Sequence, residues 1–324
     1  SSNRVRASEK FRKGNKKKKN HDDSEDESLT KIMRADIGTS VGQKLVETEE
    51  DKKRIPFSKG YRRPKKEDLV YEPVREIHPS IQRTYNNIAI VGGSSDIALS
   101  TINNLSLGDY DFYVLIRDEE KSSILNELGA HVTIGDATSE EDIKNFVSSV
   151  KEAGEIHAVL HTVGSFAVRP PHAMNKEAFE AVISTNLTSA FLTLSIAGKA
   201  MLGQGHGRMV FTSSVAGSLG LVNHEAISAA KGGIEAMVRS AAATYANRGI
   251  RVNAVAPGLT NTKLASPIMS NETASQAASQ KIPIKRVGER EEIASVIKWL
   301  LIDAPDNFTG QILHTDGGMS NILV

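Results

Sequence analysis

The chain has 324 residues and no cysteine. That excludes disulfides, thiol nucleophiles and thiolate metal sites, although it names no compartment. No apolar run approaches the roughly eighteen residues of a transmembrane helix, so no membrane span is expected. No methionine opens the chain, which begins Ser1-Ser2. The expectation is a processed or trimmed sequence from which a targeting peptide has gone. What remains, 39% hydrophobic and 24% charged residues, is ordinary for a soluble globular protein of one large domain with extras.

The net charge of +1 conceals two unlike parts. Residues 1–84 hold 22 Lys+Arg against 15 Asp+Glu, whereas the other 240 hold 18 against 24, so a basic segment precedes an acidic body. Nine of the first twenty residues are Lys or Arg, including Lys16 to Lys19, and an acidic run, Asp22 to Glu27, follows. Such blocks bury too little apolar surface to fold alone. From Ile55 to His78 the pattern is Pro-interrupted and dotted with Phe57, Tyr61 and Tyr71, which suits an extended segment lying along another surface. Lys and Arg beside aromatic rings suit RNA or an acidic protein groove. Residues 1–84 are therefore expected to be a long non-globular N-terminal extension that joins a larger protein or RNA-protein assembly. An organellar host, mitochondrion or plastid, is favoured over the cytoplasm.

Residues 85–324 read as one domain. Short β-rich runs at Ile88–Val91, Asp111–Ile116, His131–Gly135, Ile156–Val163, Met209–Thr212, Ile250–Val255 and Gln311–His314 alternate with helical stretches. Seven strands alternating with helices predict a doubly wound parallel sheet, with a site at the carboxyl ends of its strands. The first strand runs into Gly92-Gly93-Ser94-Ser95-Asp96-Ile97-Ala98, a small-residue turn opening a helix, which is a phosphate-cradle pattern.

Three segments carry a resemblance: Ser213-Ser214-Val215-Ala216-Gly217, the strand Arg251 to Val255 closed by Pro257-Gly258, and Thr309-Gly310-Gln311 with Asp316-Gly317-Gly318. In order and spacing they resemble a short-chain dehydrogenase/reductase over about residues 86–322, which implies a Rossmann-type α/β fold. The resemblance implies that Ser214 polarises a carbonyl and that Lys231 holds the cofactor ribose and tunes a tyrosine. The tyrosine position is Ile227, four residues before Lys231. Asn186, in Asn186-Leu187-Thr188, matches the asparagine that kinks a helix and carries a relay water; the alternative is a buried Asn serving only the backbone. Gly92, Ser94, Ser95, Asp96 and Ile97 fall on the pyrophosphate loop, with Asp96 and Ala98 replacing two of its glycines. A carboxylate there suits the helix dipole but repels a phosphate. Arg117 resembles the residue that meets a 2′-phosphate in NADP-preferring members, and Asp136 stands where the family contacts adenine. Of the family's N-N-A-G only Gly164 is kept, in His161-Thr162-Val163-Gly164. Pro257, Gly258 and Thr262 fall on the nicotinamide segment, and residues 264–285 resemble the variable substrate lid.

An aliphatic side chain has no proton for the alkoxide formed by hydride transfer, and a positioned acid is worth about 10²–10⁴ in rate. The main expectation is therefore a non-catalytic accessory subunit with a degenerate site, binding NADP(H) weakly or not at all. The alternative is an NADP(H)-dependent oxidoreductase acting on a carbonyl or alcohol with an atypical proton donor. His224, about one turn before Ile227, is the nearby replacement acid, with a suitable ordinary pKa. Small residues through Ala226–Ala246 permit close helix packing, and the resemblance implies a homodimer or tetramer formed through this helix and the one near Asn186.

Overall fold

The computed structural model describes residues 86–106 and 108–323, together with two short strands nearer the start of the chain. Those strands, β1 (Gln43–Val46) and β2 (Val70–Pro73), pair antiparallel with Gln43 opposite Pro73. The remainder of residues 1–84, with its basic and acidic runs and the expected assembly contact, lies outside the described residues. By its internal contacts the chain divides at Arg83/Thr84.

Seven strands form one parallel sheet: β3 (Asn87–Val91), β4 (Asp111–Ile116), β5 (His131–Ile134), β6 (Ile156–His161), β7 (Gly207–Thr212), β8 (Ile250–Pro257) and β11 (Ile312–Thr315). Their order is β11-β8-β7-β6-β3-β4-β5. A pair of two-residue strands, β9 (Thr260–Asn261) and β10 (Gly288–Glu289), lies apart. All seven expected strands are present; β6 ends at His161, two residues earlier than its apolar run suggests.

The helices are α1 (Asp96–Leu105), α2 (Ser122–Glu127), α3 (Glu140–Ala153), α4 (Lys176–Ile183), α5 (Ser189–Gln204), α6 (Glu225–Tyr245), α7 (Ser266–Met269), α8 (Glu272–Lys281) and α9 (Arg290–Lys298). Helices cover both faces of the sheet. On one face Phe146 and Val150 of α3, Leu194 and Met201 of α5, and Ile234 and Val238 of α6 pack on Ala89, Val91 and Phe211. On the other, Ile102 of α1, Leu125 of α2, and Ile293 and Ile297 of α9 pack on Ile88, Ile90 and Val114. That two-sided cover explains why β3, β6 and β7 are buried along their whole length and read as continuous apolar runs. Truncating a side chain such as Phe211 to alanine is expected to cost about 3–5 kcal/mol.

Between α4 and α5 the helix widens into a π turn over Ser184–Thr188, so that Lys176–Gln204 is continuous. Its 29 residues are long and apolar enough to cross a membrane by length and composition, which the sequence reading had not anticipated. In the fold α5 is a core helix, with eight residues buried, Ala190 and Ala197 completely, and that position accounts for the apolarity.

The switch point of the sheet falls between β3 and β6, where the chain crosses from one half to the other. A cleft of about 1440 Å³ opens at the carboxyl ends of these strands.

Candidate active site

The nucleotide end of the cleft is built by the turn after β3. Gly92 adopts φ +87°, and a Cβ there would stand 2.8 Å from the Val163 side chain, so only glycine fits. Thr162 donates its hydroxyl proton to the Gly92 carbonyl at 2.8 Å, taking over the tie between neighbouring strands that the missing N-N-A residues imply. Ser95 caps α1 by accepting from the Ala98 N–H at 3.1 Å, and Ser94, Ser95 and Ile97 line the cleft.

Asp96 behaves differently from the expectation that its charge faces the pyrophosphate unopposed. It is 9% exposed; one carboxylate oxygen accepts the Lys263 backbone N–H at 2.5 Å, and the other lies 3.8 Å from the Arg290 guanidinium. The carboxylate thus ties the start of α1 to the base of the lid and carries a counter-charge.

At the end of β4, Arg117 lines the cleft together with Lys121. Lys121 escaped the sequence reading, although its spacing of four from Arg117 was visible. Asp136 accepts both the backbone N–H and the hydroxyl of Thr138 at 2.8 Å. The Thr138 backbone bond chiefly holds its carboxyl below the usual range, against partial desolvation and with help from Arg117.

The chemical end gathers the other expected residues. Ser214 ends the extension of β7, lines the cleft, and accepts the Ala216 N–H at 3.2 Å. Among the described residues no acceptor takes its own proton, which is left for a ligand oxygen. Ile227 and Lys231 share one face of α6, both 7% exposed and both lining the cleft. The Lys231 ammonium donates to the Thr212 carbonyl at 2.9 Å, and burial pushes its pKa down to about 8. A Cβ on Gly164 would stand 3.3 Å from Asn186 Oδ1 and 3.6 Å from Lys231 Nζ, so the three residues converge.

Asn186 sits in the π turn, fully buried. Its amide donates to Val182 carbonyl and Ser165 Oγ, both at 2.9 Å, and its oxygen accepts the Ser165 N–H at 3.2 Å. The side chain clamps the segment after β6 to the helix through both backbone and side-chain partners, and the π turn supplies the kink. Pro257 closes β8, and Pro257, Gly258 and Thr262 line the cleft beyond it. The lid resolves into α7 and α8, with Leu264, Ile268 and Ala274 facing inward.

His224 precedes α6, three residues before Ile227, and lines the same cleft as Ser214. Its Nδ1 lies 2.7 Å from the Val222 carbonyl. A carbonyl only accepts, so Nδ1 carries a hydrogen and Nε2 is the position at which the ring gains or loses a proton. His161, unassigned from the sequence, is fully buried with Nε2 2.9 Å from Ser189 Oγ. Burial, reinforced by Lys231, pushes its pKa down to about 3, so it stays neutral.

Residues 94–320 match the family model described as Enoyl-(Acyl carrier protein) reductase. A tropinone reductase homolog of Arabidopsis thaliana is 32% identical over 241 residues, covering 71% of this chain and 89% of the relative. The 3-oxoacyl-(acyl-carrier-protein) reductase MabA of Mycobacterium tuberculosis is 30% identical over 233 residues, covering 72% and 92%. The chain belongs to the short-chain dehydrogenase/reductase family. Among solved structures of that fold, an actinorhodin polyketide ketoreductase with NADPH superposes with TM-score 0.70 at 27% identity, covering 74% of this chain and 98% of that one. ElxO with NADP bound gives 0.69 at 25%, covering 73% and 99%.

The cleft fits a nicotinamide dinucleotide on its own geometry. The Gly92 turn leaves room that a side chain would fill, and α1 opens onto the cleft with its N-terminal amides. Arg117 and Lys121 line the same cleft and are cations that could pair with a phosphate there.

Proposed function

We propose that this family member is an NADP(H)-dependent oxidoreductase acting on a carbonyl or alcohol, with His224 in place of the tyrosine acid. The observation that carries the reading is the His224 bond to the Val222 carbonyl, which frees Nε2 for proton exchange in the same cleft as Ser214 and Lys231. The NADP preference rests on Arg117 and Lys121, and relatives named as reductases and solved with NADPH or NADP support it.

When bound, the nicotinamide supplies or accepts the hydride. The chain's groups manage the oxygen: Ser214 donates its hydroxyl proton as a hydrogen bond, and protonated His224 gives its Nε2 proton to the developing alkoxide. The alcohol oxidation runs the same transfers in reverse. Lys231, ionised below about pH 8, adds a fixed positive charge beside the site. Ile227 takes no part in the proton transfer and walls the cleft. That the similar proteins are named reductases supports this reading over a non-catalytic accessory subunit.

The deciding experiment measures NADPH oxidation over a panel of ketones and aldehydes. Turnover that falls about 10²-fold or more in His224→Ala, with NADPH binding retained, is the expected result. No turnover on any panel member, or turnover unchanged in His224→Ala, overturns the assignment.

A further inference from the structure

Glu235 is 6% exposed and lies on α6 one turn beyond Lys231, with the same orientation. Its carboxylate accepts the Ser213 hydroxyl at 2.9 Å and the Ser218 hydroxyl at 3.0 Å from each oxygen. These two serines bracket Ser214 and the tight turn Val215–Gly217 that follows it. Because carboxylate and carbonyl oxygens only accept, the Ser218 hydroxyl spends its single proton on Glu235, while Ser213 shares its proton between Glu235 and the Lys231 carbonyl. The Ser218 oxygen is then an acceptor, and His314 of β11 donates to it from Nε2 at 3.1 Å. Ser213 Oγ also reaches the Lys231 carbonyl at 3.3 Å. Gly217 permits the approach: a Cβ there would stand 2.7 Å from Glu235 Oε1 and 3.0 Å from Ser213 Oγ.

We propose that Glu235 is a positioning residue that fixes Ser214 relative to Lys231, by gripping both ends of the serine's turn from the helix that carries the lysine. The proposal rests on the oxidoreductase reading for its catalytic consequence, but the grip itself is independent of that reading. Ser214 has no bond of its own to α6 among the described residues. Its position follows from the turn, and the turn is bonded to α6 through Ser213 and Ser218. With the carboxylate removed, the buried Ser213 hydroxyl keeps only its longer bond to the Lys231 carbonyl, the exposed Ser218 hydroxyl loses its acceptor, and the turn loses most of its tie to the helix. A shift of about 1 Å at a reacting group is enough to cost up to about 10²-fold in rate.

The test has two arms on the full chain, using Glu235→Ala, the conservative Glu235→Gln, and the double variant Ser213→Ala/Ser218→Ala. In the first arm, hydrogen exchange is followed at the amides of Gly217, Ser218 and Leu219, which bond to Ser214 and Val215 carbonyls. Exchange should rise about tenfold or more in Glu235→Ala while the amides of β7 and β8 keep their protection. In the second arm, kcat on the fastest-reduced ketone of the panel should fall about tenfold or more, with the NADPH dissociation constant unchanged and partial recovery in Glu235→Gln. Should Glu235→Ala fail to fold, the double serine variant must show the same pattern. Unchanged exchange in that turn overturns the grip. Altered exchange with unchanged kcat overturns the positioning role, and loss of NADPH affinity in proportion to kcat does so as well. Absence of turnover in the unmodified protein would instead overturn the oxidoreductase reading, leaving the exchange arm to judge the grip.

Discussion

At the nucleotide end of the cleft, residues that differ from the family pattern are each bonded into a substitute arrangement. Asp96 is tied to the Lys263 N–H and Arg290, and Thr162 reaches the Gly92 carbonyl. At the chemical end the framework is kept, with Ser214, Asn186 and Lys231 in their expected places, but the side chain between them, Ile227, carries no proton. On the proposed reading, the first end changed residues and kept a binding geometry, whereas the second kept a geometry and moved its proton to His224. That reading makes binding and chemistry separable in this cleft, and variants at each end should show different signatures.

The largest effect is expected at the chemical end. In a His224→Ala background, Ile227→Tyr should raise turnover about 10²-fold or more, because a phenol four residues before Lys231 restores a positioned acid. Steady-state NADPH oxidation checks this, and NADPH affinity should not move. A gain that instead followed tighter cofactor binding would break the separation between the two ends.

Lys231 gives the next effect, and its sign is definite. Its folded pKa, about 8, lies below the ordinary lysine value of 10.5 because burial disfavours the charged form. Below pH 8 both folded and unfolded states carry the proton, and the cost of the buried charge is complete. Between about pH 8 and 10.5 the unfolded chain binds more protons, so stability should rise with pH. Relative to Lys231→Met the gain should approach about 3 kcal/mol by pH 10, measured by urea unfolding at each pH. A difference independent of pH would show that Lys231 is as well solvated in the folded state as in the unfolded chain.

At the nucleotide end Arg117→Ala should weaken NADPH binding about 10- to 100-fold, the worth of a charge-assisted hydrogen bond, and leave NADH nearly unaffected. Fluorescence titration of both nucleotides is the check. Equal losses for the two would mean that Lys121, not Arg117, meets the 2′-phosphate.

How much of this was legible in the sequence follows from the range of the interactions. Ile88–Val91 and Met209–Thr212 announced buried parallel strands because helices cover both faces, leaving no polar alternation to confuse the pattern. Ser214, Ile227 and Lys231 were found through the family resemblance, which was readable because its segments are short and local in sequence. Glu235 was not: its partners Ser213 and Ser218 lie 22 and 17 residues away, and an isolated Glu in an Ala-rich helix reads as a solvated face. Asp96 was found but its tie was not, since its partner Lys263 is 167 residues distant and a backbone N–H leaves no mark on sequence. The apolar composition of α5 was visible, and the resemblance implied a kink at Asn186, but that the kink takes the form of a π turn was not, because nothing in Ser184–Thr188 breaks the ordinary helical period.

Asp96 also gives the smallest and most discriminating effect. Asp96→Asn keeps an oxygen for the Lys263 N–H and removes only the charge, whereas Asp96→Gly restores the family's glycine and releases the lid. If the carboxylate still opposes the pyrophosphate, Asp96→Asn should tighten NADPH about two- to fivefold at low salt, an effect on the order of a partly compensated ion contact. The gain should shrink toward nothing as salt is raised, because Arg290 and solvent share the screening. Asp96→Gly should gain less, since the lid base loses the bond that holds Lys263 beside the cleft. Isothermal titration at two ionic strengths separates these contributions. Weaker NADPH binding in Asp96→Asn at both salts would mean that the carboxylate serves the nucleotide end by keeping Arg290 in place, and the local repulsion inferred from the sequence would then be outweighed by the tie formed in the fold.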